Sequence, residues 1–307
     1  MKSIRVFAPA TVANISCGFD VLGCCLDNVG DEMQISLSNT PGVRITKIDG
    51  ADLPLATDKN VAGVAVIALL EALNDTTTGV DIGIYKKIKA GSGIGSSAAS
   101  SAGAVWAVNE LLDKPFTSKQ LVAFAMVGEE LASGNAHADN VAPALLGGFT
   151  LVRSYDPLDV LKLNTPEDLY MTIIHPQIEV KTADSRRVIK ANIPLKKAIT
   201  QWGNLGGFIT GLYTNDYDLL GRSLDDVIIE PLRSILIPKF EEVKAAAINN
   251  GALGSGISGS GPSIFALSKG KETAEKVAKA INYIYTPTGI TFDIHVASIN
   301  DKGVIKI

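Results

Sequence analysis

Eleven residues constrain this chain more than any others: Lys89-Ala-Gly-Ser-Gly-Ile-Gly-Ser-Ser-Ala-Ala99. Just before them Val80, Ile82 and Ile84 alternate with the two-residue period of a half-buried strand. Just after them Ser96 to Leu112, rich in alanine and serine, reads as a helix. A glycine-dense turn between strand and helix does two things. Its glycines admit backbone conformations that a Cβ would forbid, so the main chain can approach a ligand closely. The helix start that follows offers unpaired N–H groups and the positive end of the helix dipole, which together attract an anion. Ser96 and Ser97 add two hydroxyls that either cap the helix or ligate a cation. A tight turn that only packs the helix onto the sheet is the plainer reading of the same residues.

The rest of the chain alternates strand and helix patterns. Met33, Ile35 and Leu37 alternate, Pro41–Gly42 marks a turn, and Val43, Ile45 and Ile48 follow, which predicts a hairpin. Helices are expected over Asn60–Leu73 and from Thr117 to about Gly134, the latter opened by the capping box Thr117-x-x-Gln120. Beyond residue 154 the pattern changes. Strand Leu169–Ile174, helices Leu195–Tyr213 and Pro238–Asn249, two short strands flanking Gly259–Gly261, helix Lys271–Ile284 and a last strand of alternating Ile290, Phe292, Ile294 and Val296 follow in that order. Extra helices aside, this is βαββαβ, the ferredoxin-like arrangement. The fold class expected is therefore α+β in two domains, residues 1–154 carrying the glycine loop and residues 155–307 the ferredoxin-like unit.

Composition narrows the function classes. A formal charge of −4 leaves no basic excess to cover a phosphate backbone, so nucleic acid is not an expected partner. The longest apolar run, Val61 to Leu70, is about half of what a membrane-spanning helix needs. Lys2, Arg5 and Pro9 interrupt any apolar leader, and Cys17, Cys24 and Cys25 form no Cys-x-x-Cys pair, so a cytoplasmic chain with reduced thiols and no membrane partner is expected. Two familiar phosphate motifs fail. No Gly-Lys-Ser/Thr completes a Walker loop, and Gly254-x-Gly256-x-x-Gly259 follows a helix and leads into a strand, the reverse of the dinucleotide fingerprint.

Three separated segments carry a more specific likeness. Ala8-Pro-Ala-Thr-Val-Ala-Asn14 with Gly18-Phe19-Asp20, the Gly91–Ala99 loop and Gly256-Ile-Ser-Gly-Ser-Gly-Pro-Ser263 together resemble the GHMP kinases, in that family's order and over nearly the whole chain. Ile94 stands where the family usually has leucine, an isosteric change. Gly134-Asn-Ala-His-Ala-Asp-Asn-Val-Ala-Pro143 and Ile229-Glu-Pro-Leu-Arg233 are similar to the homoserine kinase branch. That resemblance implies the two-domain kinase fold, ATP and Mg²⁺, phosphorylation of the side-chain hydroxyl of L-homoserine on the route to threonine, and a homodimer; the alternatives are another small-molecule kinase of the family, of mevalonate or shikimate type, or a member that binds ligand without catalysing transfer.

The resemblance also implies roles. Lys89, Ala90, Gly91, Ser92, Gly93, Ile94, Gly95, Ser96, Ser97 and Ala98 would hold the triphosphate, and Ser97 with a glutamate of the next helix would hold Mg²⁺. Glu129 fits the spacing better than its neighbour Glu130. Arg186 and Arg233 would clamp the substrate carboxylate, as bidentate guanidinium groups do, with Arg187 one slip away from Arg186. Asp20 would face the ammonium, a partner that mevalonate would not need. Asn14, His137, Asn140 and Gly259 would line the same site, Asn140 near the reacting hydroxyl. Thr182 is either a helix cap or a contact to the γ-phosphate. Asp139 is either a general base or structural. His175 and His295 read as packing residues, and no His-Glu-x-x-His spacing indicates a fixed transition metal.

Overall fold

The computed structural model describes residues 2–178, 185, 187–190 and 192–307. Its first half is built on β1 (Ser3–Ala13), β2 (Leu22–Ser38), β3 (Gly42–Asp49), α1 (Val61–Ala72), β4 (Gly79–Tyr85), α2 (Ser96–Leu111), α3 (Ser118–Ser133), α4 (Ala138–Leu146), β5 (Phe149–Tyr155) and β6 (Leu158–Lys162). The second half continues with β7 (Leu169–Pro176), α5 (Leu195–Thr214), α6 (Tyr217–Ser223), α7 (Glu230–Arg233), α8 (Phe240–Asn249), β8 (Gly254–Ile257), β9 (Ile264–Lys269), α9 (Lys271–Tyr285), β10 (Phe292–Ser298) and β11 (Ile305–Lys306).

Local chemistry sets several boundaries as expected. Asn60 caps α1, its side chain accepting the Ala62 N–H at 3.0 Å. Thr117 and Gln120 satisfy each other's backbone donors at the start of α3, and Gly134 ends that helix at φ 75°. The Ala/Ser character of α2 has a packing reason. A Cβ on its Gly103 would sit 2.7 Å from Met33 Sδ and 2.8 Å from Ala8 Cβ, so the helix lies hard against β1 and β2.

The expected hairpin after β2 does not form. The first sheet runs β11-β1-β2-β4-β3, with β4 inserted between β2 and β3, antiparallel to one and parallel to the other. Burial explains the order. Val80 and Ile82 of β4 are fully buried and Ile84 nearly so, and they take an interior place, whereas β3 is largely exposed and takes the edge. The Pro41–Gly42 turn instead straddles the start of β4. A Cβ at Gly79 would lie 2.0 Å from the Thr40 carbonyl, so this glycine is what lets the turn pass over.

The second sheet has the order β10-β7-β9-β8, all neighbours antiparallel, which is the ferredoxin-like order with extra helices α5 to α7 ahead of α8. The Gly254–Gly259 stretch begins as β8 of that sheet, after α8 and ahead of β9, so it is not the turn from a strand into a helix that the dinucleotide fingerprint needs. The first sheet, however, extends through β6 to Lys162 and is completed by β11 from the far end of the chain. A border at 154/155 would cut the β5–β6 hairpin, and we place it between Lys162 and Leu169.

One apolar cluster packs Val6, Met33, Ile35 and Ile82 against Ala98, Val105, Leu121 and Val122 of α2 and α3. A second joins both halves: Ala8, Ala10 and Val12 of β1 meet Phe149, Met171, Phe208 and Phe265. This shared core fixes the two halves against each other, and the candidate site opens where they meet. No helix among the described residues is long and apolar enough to cross a membrane.

Candidate functional site

A cavity of about 390 Å³ is lined from both halves: Asn14, Phe19, Asp20, Lys86, the loop from Ala90 to Ser97, Glu129, His137, Asp139, Asn140, Arg233 and Gly259. Three elements build it. The glycine loop runs into α2 through Gly95 at φ 69°, with no side-chain cap. Ser96 and Ser97 are therefore not capping residues. The Ser96 hydroxyl turns back to the Ile88 carbonyl at 3.1 Å, and Ser97 is left facing the cavity. The third motif holds this loop in place. Ser258 Oγ donates to the Gly93 carbonyl at 2.7 Å and Ser263 Oγ to the Ser92 carbonyl at 2.6 Å. Gly93 must be glycine, because a Cβ there would meet the Gly261 and Ser258 carbonyls at 2.7 and 2.8 Å.

Not every residue of the loop faces the cavity. Ile94 and Ala98 are buried in the two apolar clusters, and the Lys89 side chain turns away to Gln177. The buried lysine that lines the cavity is Lys86, which the sequence reading did not single out. It was legible all the same, since it continues the inward register of Val80, Ile82 and Ile84. Lys86 pairs with Asp31, both side chains buried, and donates to the Ser96 carbonyl at 2.8 Å and to Ser100 Oγ at 3.1 Å. Asp31 in turn accepts the Lys87 and Ile88 N–H groups at 2.7 and 2.9 Å. Burial pushes the Lys86 ammonium below its ordinary pKa, and Asp31 opposes that.

Glu129 and Glu130 part company on α3. Glu130 is exposed, whereas Glu129 is 5% exposed and faces the cavity. Burial pushes the Glu129 carboxyl up to about 7, while the Ser97 hydroxyl and the Lys86 charge pull it down. Its Oε1 is buried with no hydrogen-bond partner, as is Ser92 Oγ in the loop beside it. An orphaned carboxylate oxygen next to a hydroxyl is a donor set suited to a hard cation such as Mg²⁺. A positively polarised helix start with a spare hydroxyl suits a phosphate chain.

The other end of the cavity is organised around strained backbone. Asn14, Ile15 and Ser16 take φ values of 72°, 43° and 52°, and Asp20 takes 59°. A β-branched residue in that region is uncommon and costs of order 1–3 kcal/mol, the sort of strain that collects at functional sites. The turn is held by its contacts: Asn14 Nδ2 donates to the Gly259 carbonyl at 2.8 Å, and Asn14 Oδ1 accepts the Asp20 N–H at 3.0 Å. Tyr155 Oη donates to the Asp20 carbonyl at 2.9 Å, and His137 Nδ1 lies 4.0 Å from Asp20 Oδ1.

Arg233 is 3% exposed, donating from Nε to the Ser185 carbonyl at 2.9 Å and stacking over Phe19 at 5.0 Å. Its four-residue helix is too short to stand alone. Asp226 holds it, accepting the Ile228, Ile229 and Glu230 N–H groups at 2.9 Å, and Gln201 of α5 braces Asp226 at 3.1 Å. Asp139 and Asn140 come from the first turn of α4, whose close approach to β2 requires Gly23: a Cβ there would lie 1.8 Å from the Asp139 carbonyl. Arg187 is exposed and does not line the cavity. Thr182 and Arg186 lie outside the described residues. His175 and His295 stand on the second sheet, away from the cavity lining.

Glu230, the first residue of this helix, is also raised to about 7, by burial first, against the pull of Lys244. A raised acid binds its proton more tightly in the folded chain than in the unfolded one, where its ordinary value is 4.5. Its stabilising contribution is therefore complete below about pH 4.5 and lost as the pH rises through 7. Melting temperatures taken across pH 5.5 to 8 should fall less steeply for Glu230→Gln than for the unaltered chain. An unchanged slope would show that Glu230 carries none of it.

Comparison with known proteins agrees with this architecture. The family model for the GHMP kinases N terminal domain matches residues 60–148, and that for the GHMP kinases C terminal matches residues 208–286. The chain belongs to the GHMP kinases. Within that family it is 48% identical to the homoserine kinase of Chlorobium phaeobacteroides, covering 99% of each chain. It is 46% identical to that of Chlorobaculum tepidum, over 99% of this chain and 98% of the other. The crystal structure of homoserine kinase from Cytophaga hutchinsonii superposes with a TM-score of 0.96 at 52% identity, covering 100% of this chain and 98% of that one. In this GHMP kinase one cavity is lined both by the glycine loop with Glu129 and by Asp20 with Arg233.

Proposed function

We propose that this kinase transfers the γ-phosphoryl group of ATP to the side-chain hydroxyl of L-homoserine, giving O-phospho-L-homoserine in threonine biosynthesis. One observation carries the reading: a single cavity joins an anion-binding helix start and the buried Glu129 to a buried arginine, Arg233, and a carboxylate, Asp20. An amino acid offers the two charges that those side chains complement, and the homoserine kinase relatives agree with it.

In phosphoryl transfer the protein mostly positions and neutralises charge. The Gly91–Ser97 backbone would hold the triphosphate. Ser97 and Glu129 are the residues that would bind Mg²⁺, which when bound neutralises charge on the phosphates. Arg233, with Arg186 by resemblance, would fix the carboxylate, Asp20 the ammonium, and Asn14, His137 and Gly259 the walls. Asn140 would then address the hydroxyl oxygen as it attacks phosphorus, the bond to ADP breaking in line. The hydroxyl proton goes either to Asp139 or to a phosphate oxygen. Asp139→Asn decides between them: loss of about 10²-fold or more in kcat marks a base, and a smaller change marks a structural carboxylate.

The test of the reading is purified protein with Mg-ATP and a panel of alcohols, following ADP release. Turnover with L-homoserine and little with mevalonate, shikimate or L-serine is expected, and turnover with mevalonate alone would overturn it. Arg233→Ala should raise KM for homoserine by about 10²-fold, as loss of a buried charge partner does, with KM for ATP near normal. Equal damage to both would mean that Arg233 supports the fold or the nucleotide. We also propose a cytoplasmic homodimer, for which the exposed Leu195, Ile199 and Trp202 on one face of α5 offer an apolar surface.

A further inference from the structure

We propose that Thr11 is a positioning residue that sets which end of the Asn140 amide faces the substrate. The inference rests on the reading of Asn140 as the group beside the reacting hydroxyl. Thr11 lies in β1, fully buried, within the first of the three family segments but with no role yet attached to it. Its Oγ1 donates to Asn140 Oδ1 at 2.8 Å. An amide whose oxygen is engaged from behind presents its NH₂ on the other side. Asn140 lines the cavity, so that side is the cavity, and Asn140 meets the ligand as a hydrogen-bond donor.

Thr11 also links this amide to the phosphate loop. Its backbone N–H donates to the Ile94 carbonyl at 3.1 Å. A Cβ on Gly95 would stand 2.1 Å from Thr11 Oγ1 and 3.1 Å from Asn140 Oδ1. One residue thus meets the loop carbonyl through its backbone N–H and the Asn140 amide through its side chain, with the N-cap glycine of α2 packed against that side chain. The glycine at 95 serves two purposes, a left-handed turn and room for the Thr11–Asn140 contact.

A donor at Asn140 has a chemical consequence. It stabilises negative charge on an oxygen, either the attacking hydroxyl or the transferring phosphoryl group, and it cannot take the hydroxyl proton. If Thr11 were lost, the amide would be free to rotate and present its oxygen, which repels the negative charge that develops on either. This is a positioning effect, of the kind where small misplacements cost about 10²-fold in rate.

The test is a set of variants assayed with Mg-ATP and L-homoserine, each also melted thermally. Thr11→Val keeps the shape and removes the hydroxyl. It should lower kcat by about 10- to 100-fold with KM for ATP within about twofold, while Thr11→Ser, which keeps the hydroxyl, should recover most of the rate. In the double variant Thr11→Val/Asn140→Ala the two losses should not add, because one acts through the other. Normal kcat in Thr11→Val, equal loss in Thr11→Ser, or additive losses would each overturn the proposal. If Asn140→Ala itself keeps its rate, the reading of Asn140 fails instead, which separates the two claims. Asn140→Asp gives a check that leaves Thr11 intact. It retains the acceptor toward Thr11 and puts an oxygen in place of the NH₂, so its kcat should collapse, and near-normal turnover would refute the donor orientation whether or not Thr11→Val folds.

Discussion

Glu129→Gln should lower kcat by about 10²-fold or more with Mg-ATP and L-homoserine, yet melt no earlier than the unaltered chain. The two halves of that expectation come from the same burial. The Glu129 carboxyl, raised to about 7 by desolvation, sits in a site where its charge is costly, and its Oε1 has no hydrogen-bond partner. Such a group does little for stability, and an uncharged amide of the same shape removes its desolvation cost. What is lost is the anion that, beside Ser97, suits a divalent cation. Steady-state kinetics over a range of Mg²⁺ concentrations and a thermal melt measure both halves. Activity within about threefold of normal would remove Glu129 from the reaction altogether.

The second large effect falls on stability. Lys86→Met leaves Asp31 buried and without its cation, and truncating one member of a buried ion pair costs about 3–5 kcal/mol. For a chain of this size that is a fall on the order of 10 °C in melting temperature. The Asp31 carboxylate keeps its two backbone donors, so Lys86→Met combined with Asp31→Asn should regain much of the loss, since a neutral pair no longer strands a charge. The same substitution also removes the positive charge nearest Glu129 and pushes that carboxyl further up. Denaturant titration of the single and double variants checks the prediction, and equal stability of Lys86→Met and the unaltered chain would show the pair to be dispensable.

How much of this was legible beforehand differs from residue to residue. Thr117-x-x-Gln120 and Gly134 marked both ends of α3 because capping is chemistry within one turn, and the structure shows both caps. The alternation through Val80, Ile82 and Ile84 marked β4 for the same local reason. The hairpin failed because the turn at Pro41–Gly42 says that the chain reverses, and says nothing about a strand from further along sliding between the two arms. Ser96 and Ser97 look like capping serines in sequence, but Gly95 takes the capping position and frees them for other partners.

The site divides in the same way. Its glycine loop and its family were readable from three motifs, since each needs only nearby residues of given types. Its long-range contacts were not: Thr11 with Asn140, Lys86 with Asp31, and Ser258 and Ser263 with the loop carbonyls are separated by between 55 and 171 positions. Which of two adjacent glutamates enters the cavity was likewise settled only by how α3 lies on α2 and α1, with Glu129 turned in and Glu130 turned out. Sequence alone determined many of the elements, the glycine-rich turn ahead of α2 and the kinase family, because these follow from short-range sterics, hydrogen bonding and residue pattern. Only the tertiary structure decided strand order, the buried lysine and the orientation of the amide, because burial and cross-chain contacts exist once distant segments share a core.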